Sequence, residues 1–134
     1  MFKIIEQLKY SARDDIVSSM RQLLVHPACE DLSLPTILYA LGDPLRLRIV
    51  ARLATVHDSD EKMACQDFLV CEAVAKSTLS FHFKVLREAG LVRMVPQGRR
   101  VLVSLRKEDL ETRFSGVLEA VLSAYQKAIA EKPR

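Results

Sequence analysis

A mainly α-helical fold with one small β-hairpin is what this chain of 134 residues predicts. Three observations carry that expectation. Apolar side chains recur at three- and four-residue spacing through most of the chain. Helix starts and stops are marked by Asp43-Pro44 and by Gly90. Only around residues 96–100 does the period change, where two short β-branched runs flank a turn.

Residues 2–9 and 12–24 read as two short helices, the second with Ile16, Val17, Met20, Leu23 and Leu24 on its apolar side. His26-Pro27 stops it, because the residue before a proline disfavours the helical region. Leu34 to Leu41 is a short apolar segment closed by Gly42. Asp43 can cap the next helix and Pro44 suits its first position. That helix carries Leu45, Leu47, Ile49, Val50 and Leu53 on two faces, as a central helix would, and the polar run 57–62 ends it. Residues 64–72 suggest another helix around Phe68 and Leu69. A turn at 73–75 leads into a third, 77–89, with Leu79, Phe83 and Leu86 on a buried stripe and Gly90 as its stop. The hairpin strands are 91–95 and 101–105, joined by Pro-Gln-Gly-Arg-Arg. From 108 to 130 a single helix is expected, striped by Leu110, Phe114, Val117, Leu118, Val121, Leu122, Tyr125 and Ile129.

Composition excludes several classes. Hydrophobic residues make up 49% and charged residues 28%, enough to bury a core, and 4 Gly and 5 Pro exclude collagen-like or low-complexity chains. No apolar run reaches the roughly 18 residues that span a bilayer. The first residues turn charged too early for a signal peptide, so a soluble cytoplasmic protein is expected, without a membrane partner. Three cysteines, Cys29, Cys65 and Cys71, are an odd number and argue against a disulfide framework.

The formal charge of +3 is unevenly spread. Residues 76–107 hold Lys76, Lys84, Arg87, Arg93, Arg99, Arg100, Arg106 and Lys107 against Glu88 alone, a net of +7, while the rest of the chain is mildly acidic. Such a block suits a polyanion. Three helices and a hairpin, with the charge on the third helix and the hairpin, describe a winged helix-turn-helix with extra N- and C-terminal helices for dimerisation. A helix of this width fits the major groove of double-stranded DNA, and a basic hairpin tip can reach phosphates or the minor groove. Ser77, Thr78, Ser80 and Phe81 are the expected base readers, Phe81 through a thymine methyl. Lys84, Arg87, Arg99 and Arg100 are the expected phosphate contacts. The competing reading makes Lys84 and Arg87 a solvated face and packs Phe81 on a neighbouring loop.

The run from Asp43 to Val50, DPLRLRIV, and the run from Lys76 to Val92, KSTLSFHFKVLREAGLV, closely resemble the arsenic-repressor (ArsR/SmtB) family of bacterial winged-helix repressors. The resemblance extends from about Leu34 to Leu105. It implies a homodimer joined by terminal helices, and repression relieved by a metal ion or another inducer. Both metal sites that it implies are broken here. The two cysteine ligand positions fall on Ala64 and Gln66, with Cys65 between them, and residues 108–130 hold no histidine. No metal site and no cofactor is therefore assigned.

Other sensing arrangements stay open. Cys65 and Cys71 lie about 120° apart on a continuous helix. His26 and Cys29 have the spacing of a metal-binding loop and could meet Cys65; the alternative is that all three thiols are small packed side chains. His82 is expected to pack or hydrogen-bond beside Leu79 and Leu86, and His57 to be exposed in a polar loop. No nucleophile–base pair or phosphate-cradling loop is evident, so an enzyme is not expected.

The division that follows is an N-terminal extension at 1–33, a winged-helix core at 34–105 and a C-terminal dimerisation helix at 106–134, within one domain. The expected function is that of a sequence-specific DNA-binding regulator, a homodimeric repressor released by an unidentified small-molecule inducer. Its rivals are a winged-helix module that binds proteins without reading DNA, and a repressor that senses metal or redox state through cysteine.

Overall fold

The computed structural model describes residues 24–56, 63–64, 67 and 74–131. The helix expected over 2–9, residues 12–23 of the helix expected over 12–24, His57, Cys65 and Cys71 lie outside the described residues, and Leu24 is not helical. Within them an extended segment passes through one 3-10 turn, Cys29–Asp31, into helix α1, Leu34–Leu41. Helix α2, Pro44–Val56, follows, then a two-residue strand β1, Met63–Ala64. Helix α3, Lys76–Ala89, leads into strands β2, Val92–Gln97, and β3, Arg100–Leu105. Helices α4, Lys107–Arg113, and α5, Val117–Glu131, complete the described chain.

Asp43 starts α2 as its sequence suggests. One carboxylate oxygen accepts the Leu45 amide at 2.9 Å and the Arg46 amide at 3.1 Å, satisfying donors that a helix N-terminus leaves open. Ile49, Val50 and Leu53 are buried against Ile37 and Ala40 of α1, Leu79, Phe83 and Leu86 of α3, and Val92 and Val103 of the sheet. One apolar core thus lies beneath α3 and the hairpin.

The hairpin is longer and tighter than expected. Gln97 pairs with Arg100, so the loop is only Gly98-Arg99, with Gly98 at φ +63°. A glycine first in a two-residue loop suits the right-handed twist of the strands. Pro96 stands in β2, the outer strand, where a residue without an amide hydrogen is tolerated. Ala64, expected to begin a helix over 64–72, instead pairs with Leu102, making a third strand on the far side of β3.

The C-terminal stripe is also not one helix. The chain breaks between α4 and α5, where Gly116 adopts φ +84°. The Glu111 carboxylate accepts the Ser115 hydroxyl at 3.1 Å and the Gly116 amide at 3.2 Å, holding the turn. Leu110 and Leu118 are buried, while Val117, Val121, Leu122 and Tyr125 are half-buried and Ile129 is exposed.

Gly90 ends α3 as its sequence suggests, and tertiary packing adds a second requirement. At φ +90° its amide donates to the Arg87 carbonyl and the Leu91 amide to the Leu86 carbonyl, both at 3.0 Å, the paired pattern that seals a helix C-terminus. A Cβ there would lie 2.1 Å from Leu32 Cδ2 and 3.2 Å from Pro27 Cγ. At Gly98 a Cβ would meet nothing within 4 Å. Gly98→Ala should therefore cost only the left-handed backbone penalty, about 1–2 kcal/mol. Gly90→Ala should cost that plus roughly 1–3 kcal/mol for displacing Leu32. Urea denaturation of the two variants measures the difference, and equal losses would mean that Leu32 is not seated on Gly90.

Candidate nucleic-acid interface

Helix α3 divides into two faces. Leu79, Phe83 and Leu86 are buried, whereas Lys76, Ser77, Thr78, Ser80, Phe81 and Lys84 are exposed, Phe81 at 55%. Five of the expected contact residues on this helix thus share its outer surface. The first turn holds no acidic side chain, so its partial positive charge is not offset from within the helix. Beside α3, packed on it through β2, the hairpin presents Arg99 in its turn and Arg100 at the start of β3, both exposed. Arg100 lies 3.7 Å from the Asp67 carboxylate, whose other bond is to the Ala64 amide at 2.7 Å.

Arg87 departs from the expectation. It is 7% exposed, and its Nη1 donates to the Val25 carbonyl at 2.6 Å. Four residues beyond Phe83 and eight beyond Leu79, it sits on the apolar stripe and not on the outer face. Buried and bonded to the Val25 carbonyl, the Arg87 guanidinium does not belong to the solvent-facing basic set. Arg106 is likewise buried. Its Nη1 donates to the Pro27 carbonyl at 2.8 Å, and its Nε and Nη2 to the Asp109 carboxylate at 3.0 and 2.9 Å. Arg93 stays half-exposed, 3.8 Å from the same carboxylate. The basic block of 76–107 therefore divides between an outer surface and an internal frame.

The internal frame holds an extended strap. Arg87, Arg106 and Arg113 donate to the carbonyls of Val25, Pro27 and Cys29, alternate residues of one segment. Between them His26 Nε2 accepts the Met94 amide at 3.0 Å, which puts the ring proton on Nδ1. Burial, then the charges of Arg93, Arg87 and Arg106, lower the His26 pKa from 6.5. The Cys29 thiol donates to the Asp109 carbonyl at 3.8 Å, and desolvation followed by the Asp109 charge pushes its pKa up, against the thiolate. The His26–Cys29 pair thus has its chemistry directed at backbone groups, a poor arrangement for metal capture.

Arg46 was not expected to matter. It is 6% exposed and holds the end of α1, donating from Nε to the Ala40 carbonyl at 2.7 Å and from Nη2 to the Tyr39 carbonyl at 3.4 Å. Its Nη1 lies 3.0 Å from His82 Nδ1 on α3. Because a guanidinium only donates, His82 Nδ1 is the acceptor and the ring proton sits on Nε2. The Asp43 carboxylate is 3.9 Å from the same imidazole nitrogen. Burial would raise the Asp43 pKa, but the Arg46 amide, the Arg46 charge and the Leu45 amide outweigh it and hold it below the ordinary value. The available sequence signal was spacing: Arg46 precedes Ile49, Val50 and Leu53 by three, four and seven residues, a charge on an apolar face.

Comparison with known proteins adds further likenesses. Residues 41–95 match the helix-turn-helix domain family. The uncharacterized HTH-type transcriptional regulator YceK of Bacillus subtilis (strain 168) is 36% identical over 85 residues, spanning 63% of this chain and 82% of that protein. Among solved structures, that of an ArsR family transcriptional regulator has a TM-score of 0.52 at 22% identity, covering 81% of this chain and 100% of its own. An ArsR-like transcriptional regulator from Rhodococcus sp. RHA1 has a TM-score of 0.51 at 21% identity, covering 72% and 86%. The last two are likenesses of fold.

Two outcomes follow for the internal frame. Arg87→Ala should lower stability by about 1–3 kcal/mol by stranding the Val25 carbonyl, whereas Lys84→Ala on the outer face should stay within about 0.5 kcal/mol of wild type. Urea titrations decide it. For His26 the lowered folded pKa means that the unfolded chain takes the proton first. Its contribution is therefore complete above pH 6.5 and lost as pH falls through the folded value. The wild type should lose stability as pH falls below 6.5, and His26→Gln should flatten that slope. An equally steep slope in the variant would assign it to another group.

Proposed function

Because this chain belongs to the family of winged helix-turn-helix transcriptional regulators and has the ArsR-type fold, it is a DNA-binding regulator, and we propose that it acts as a homodimeric, cytoplasmic repressor whose α3 reads an operator. The observation that carries this reading is the outer face of α3, polar and aromatic outside and anchored by Leu79, Phe83 and Leu86 inside. Ser77, Thr78 and Ser80 offer hydroxyls that donate and accept, and Phe81 offers an apolar surface for a thymine methyl. Lys84, Arg99 and Arg100 neutralise phosphates, setting affinity without reading sequence.

Arg100 must exchange Asp67 for a phosphate on binding. The exchange costs little, because a pair this exposed contributes only about 0–1 kcal/mol. Dimerisation is supported by α5, where Val121 and Leu122 pack on the core yet stay, with Val117 and Tyr125, only half-buried, leaving apolar surface that a second copy would cover. Two copies related by a two-fold axis would set their α3 helices about 34–36 Å apart, matching an inverted repeat. Release by a small-molecule inducer completes the reading.

The test uses duplexes selected by the wild-type protein from a randomised library, with random duplex as competitor. Replacing Arg99 and Arg100 together by Ala should weaken binding to both duplexes alike and reduce the salt slope by about two, roughly one for each phosphate no longer neutralised. Thr78→Ala and Phe81→Ala should change the ratio of selected to random binding more than the overall affinity. An unchanged salt slope removes the hairpin from the reading, and equal losses on both duplexes remove the division between readers and clamps. Native mass spectrometry of the protein purified from its host should give a dimer; a monomer would remove the inverted-repeat operator.

A further inference from the structure

We propose that His82 is a positioning residue for base reading: held by Arg46 from behind, its imidazole sets the direction in which Phe81 leaves α3. The inference rests on the reading of Phe81 as a base contact and says how that contact is aimed.

Four side chains form a continuous line from α1 to the outer face of α3. The Tyr39 ring lies beneath the Arg46 guanidinium, 5.5 Å from centroid to Cζ. Arg46 Nη1 is 3.0 Å from His82 Nδ1. The His82 ring meets the Phe81 ring edge to face, with centroids 5.5 Å apart and planes at 63°. That is the geometry in which aromatic rings attract, the positive edge of one against the negative face of the other.

The order of constraint along this line is uneven, and the unevenness gives it a direction. Arg46 is fixed by its bonds to the Ala40 and Tyr39 carbonyls and is buried. His82 is partly buried and has one nitrogen committed to Arg46. Phe81 is 55% exposed. An exposed phenylalanine on a helix has two χ1 wells of similar energy. Contact with an imidazole held by Arg46 favours one of them before DNA arrives. A reader already in its binding rotamer loses less conformational freedom on contact, and it rejects a wrong base more sharply because it does not adapt. Arg46 and Tyr39 lie on helices outside the reading face, so the aim of Phe81 is set by the core and not by its own helix.

His82→Asn separates this role from a structural one. The Asn oxygen takes nearly the position of the imidazole Nδ1 and keeps the acceptor for Arg46, while the ring that Phe81 leans on is removed. Binding of selected and random duplexes is compared for wild type, His82→Asn, Phe81→Ala and the double variant, with His82→Gln in parallel. The Phe81 χ1 population in the DNA-free protein is read from three-bond couplings. We expect one dominant rotamer in wild type and averaging in His82→Asn. We also expect a drop of about five- to tenfold in the selected-to-random ratio for either single variant, within the usual range for one base pair, and no further drop in the double. Loss of thermal stability with the ratio unchanged in His82→Asn, while Phe81→Ala lowers it, overturns the positioning role and leaves Phe81 as a reader. An unchanged ratio in Phe81→Ala overturns the base contact itself and the inference with it. More than one Phe81 rotamer in the wild type, or the wild-type rotamer retained in both His82 variants, overturns the positioning role independently of DNA.

Discussion

Helix α3 is held from behind by its apolar stripe and by one directional contact, from the guanidinium of Arg46 to His82. A helix can offer its side chains to a groove only if its axis and rotation are fixed from behind, and apolar contact alone is non-directional. Leu79, Phe83 and Leu86 keep α3 against the core. The Arg46–His82 bond adds the direction, since a hydrogen bond weakens steeply when bent. The same guanidinium closes the C-terminus of α1 on the Ala40 and Tyr39 carbonyls, where a positive charge is favoured by the helix dipole. Burying that charge is tolerated only because its donors find partners and Asp43 stands close by.

A second set of arginines performs the same service for the strap at residues 25–29. Arg87 from α3, Arg106 from the β3–α4 junction and Arg113 from α4 each take one carbonyl of that segment. His26 adds a bond to β2 through the Met94 amide, and Leu32 closes over Gly90. One short extended segment thus joins the C-terminal end of the proposed reading helix, the hairpin and the start of the C-terminal helices. The chain uses arginine in two ways, as a donor to backbone carbonyls of the fold and as a charge at the surface. Composition alone counts both as the same +7.

How far the sequence could be read varies with the range of the interaction that decides each feature. The Asp43 cap and the Gly90 stop were legible because they act within three or four residues. The α3 stripe was legible because helical period and burial agree. The break at Phe114–Gly116 was obscured by an unbroken apolar stripe, and its one local signal was Gly116. The placing of Ala64 in a strand was hidden because its partner, Leu102, is remote in sequence. The burial of Arg87 was hidden for the same reason: the Val25 carbonyl that it meets lies 62 positions away.

The sequence by itself therefore determined the class of fold, the helix that faces outward and the hairpin, since periodicity, caps and turn chemistry are local. Only the tertiary structure decided which positive charges remain at the surface. An arginine enters the interior when distant carbonyls or carboxylates converge on it, and no local pattern of residues encodes that convergence.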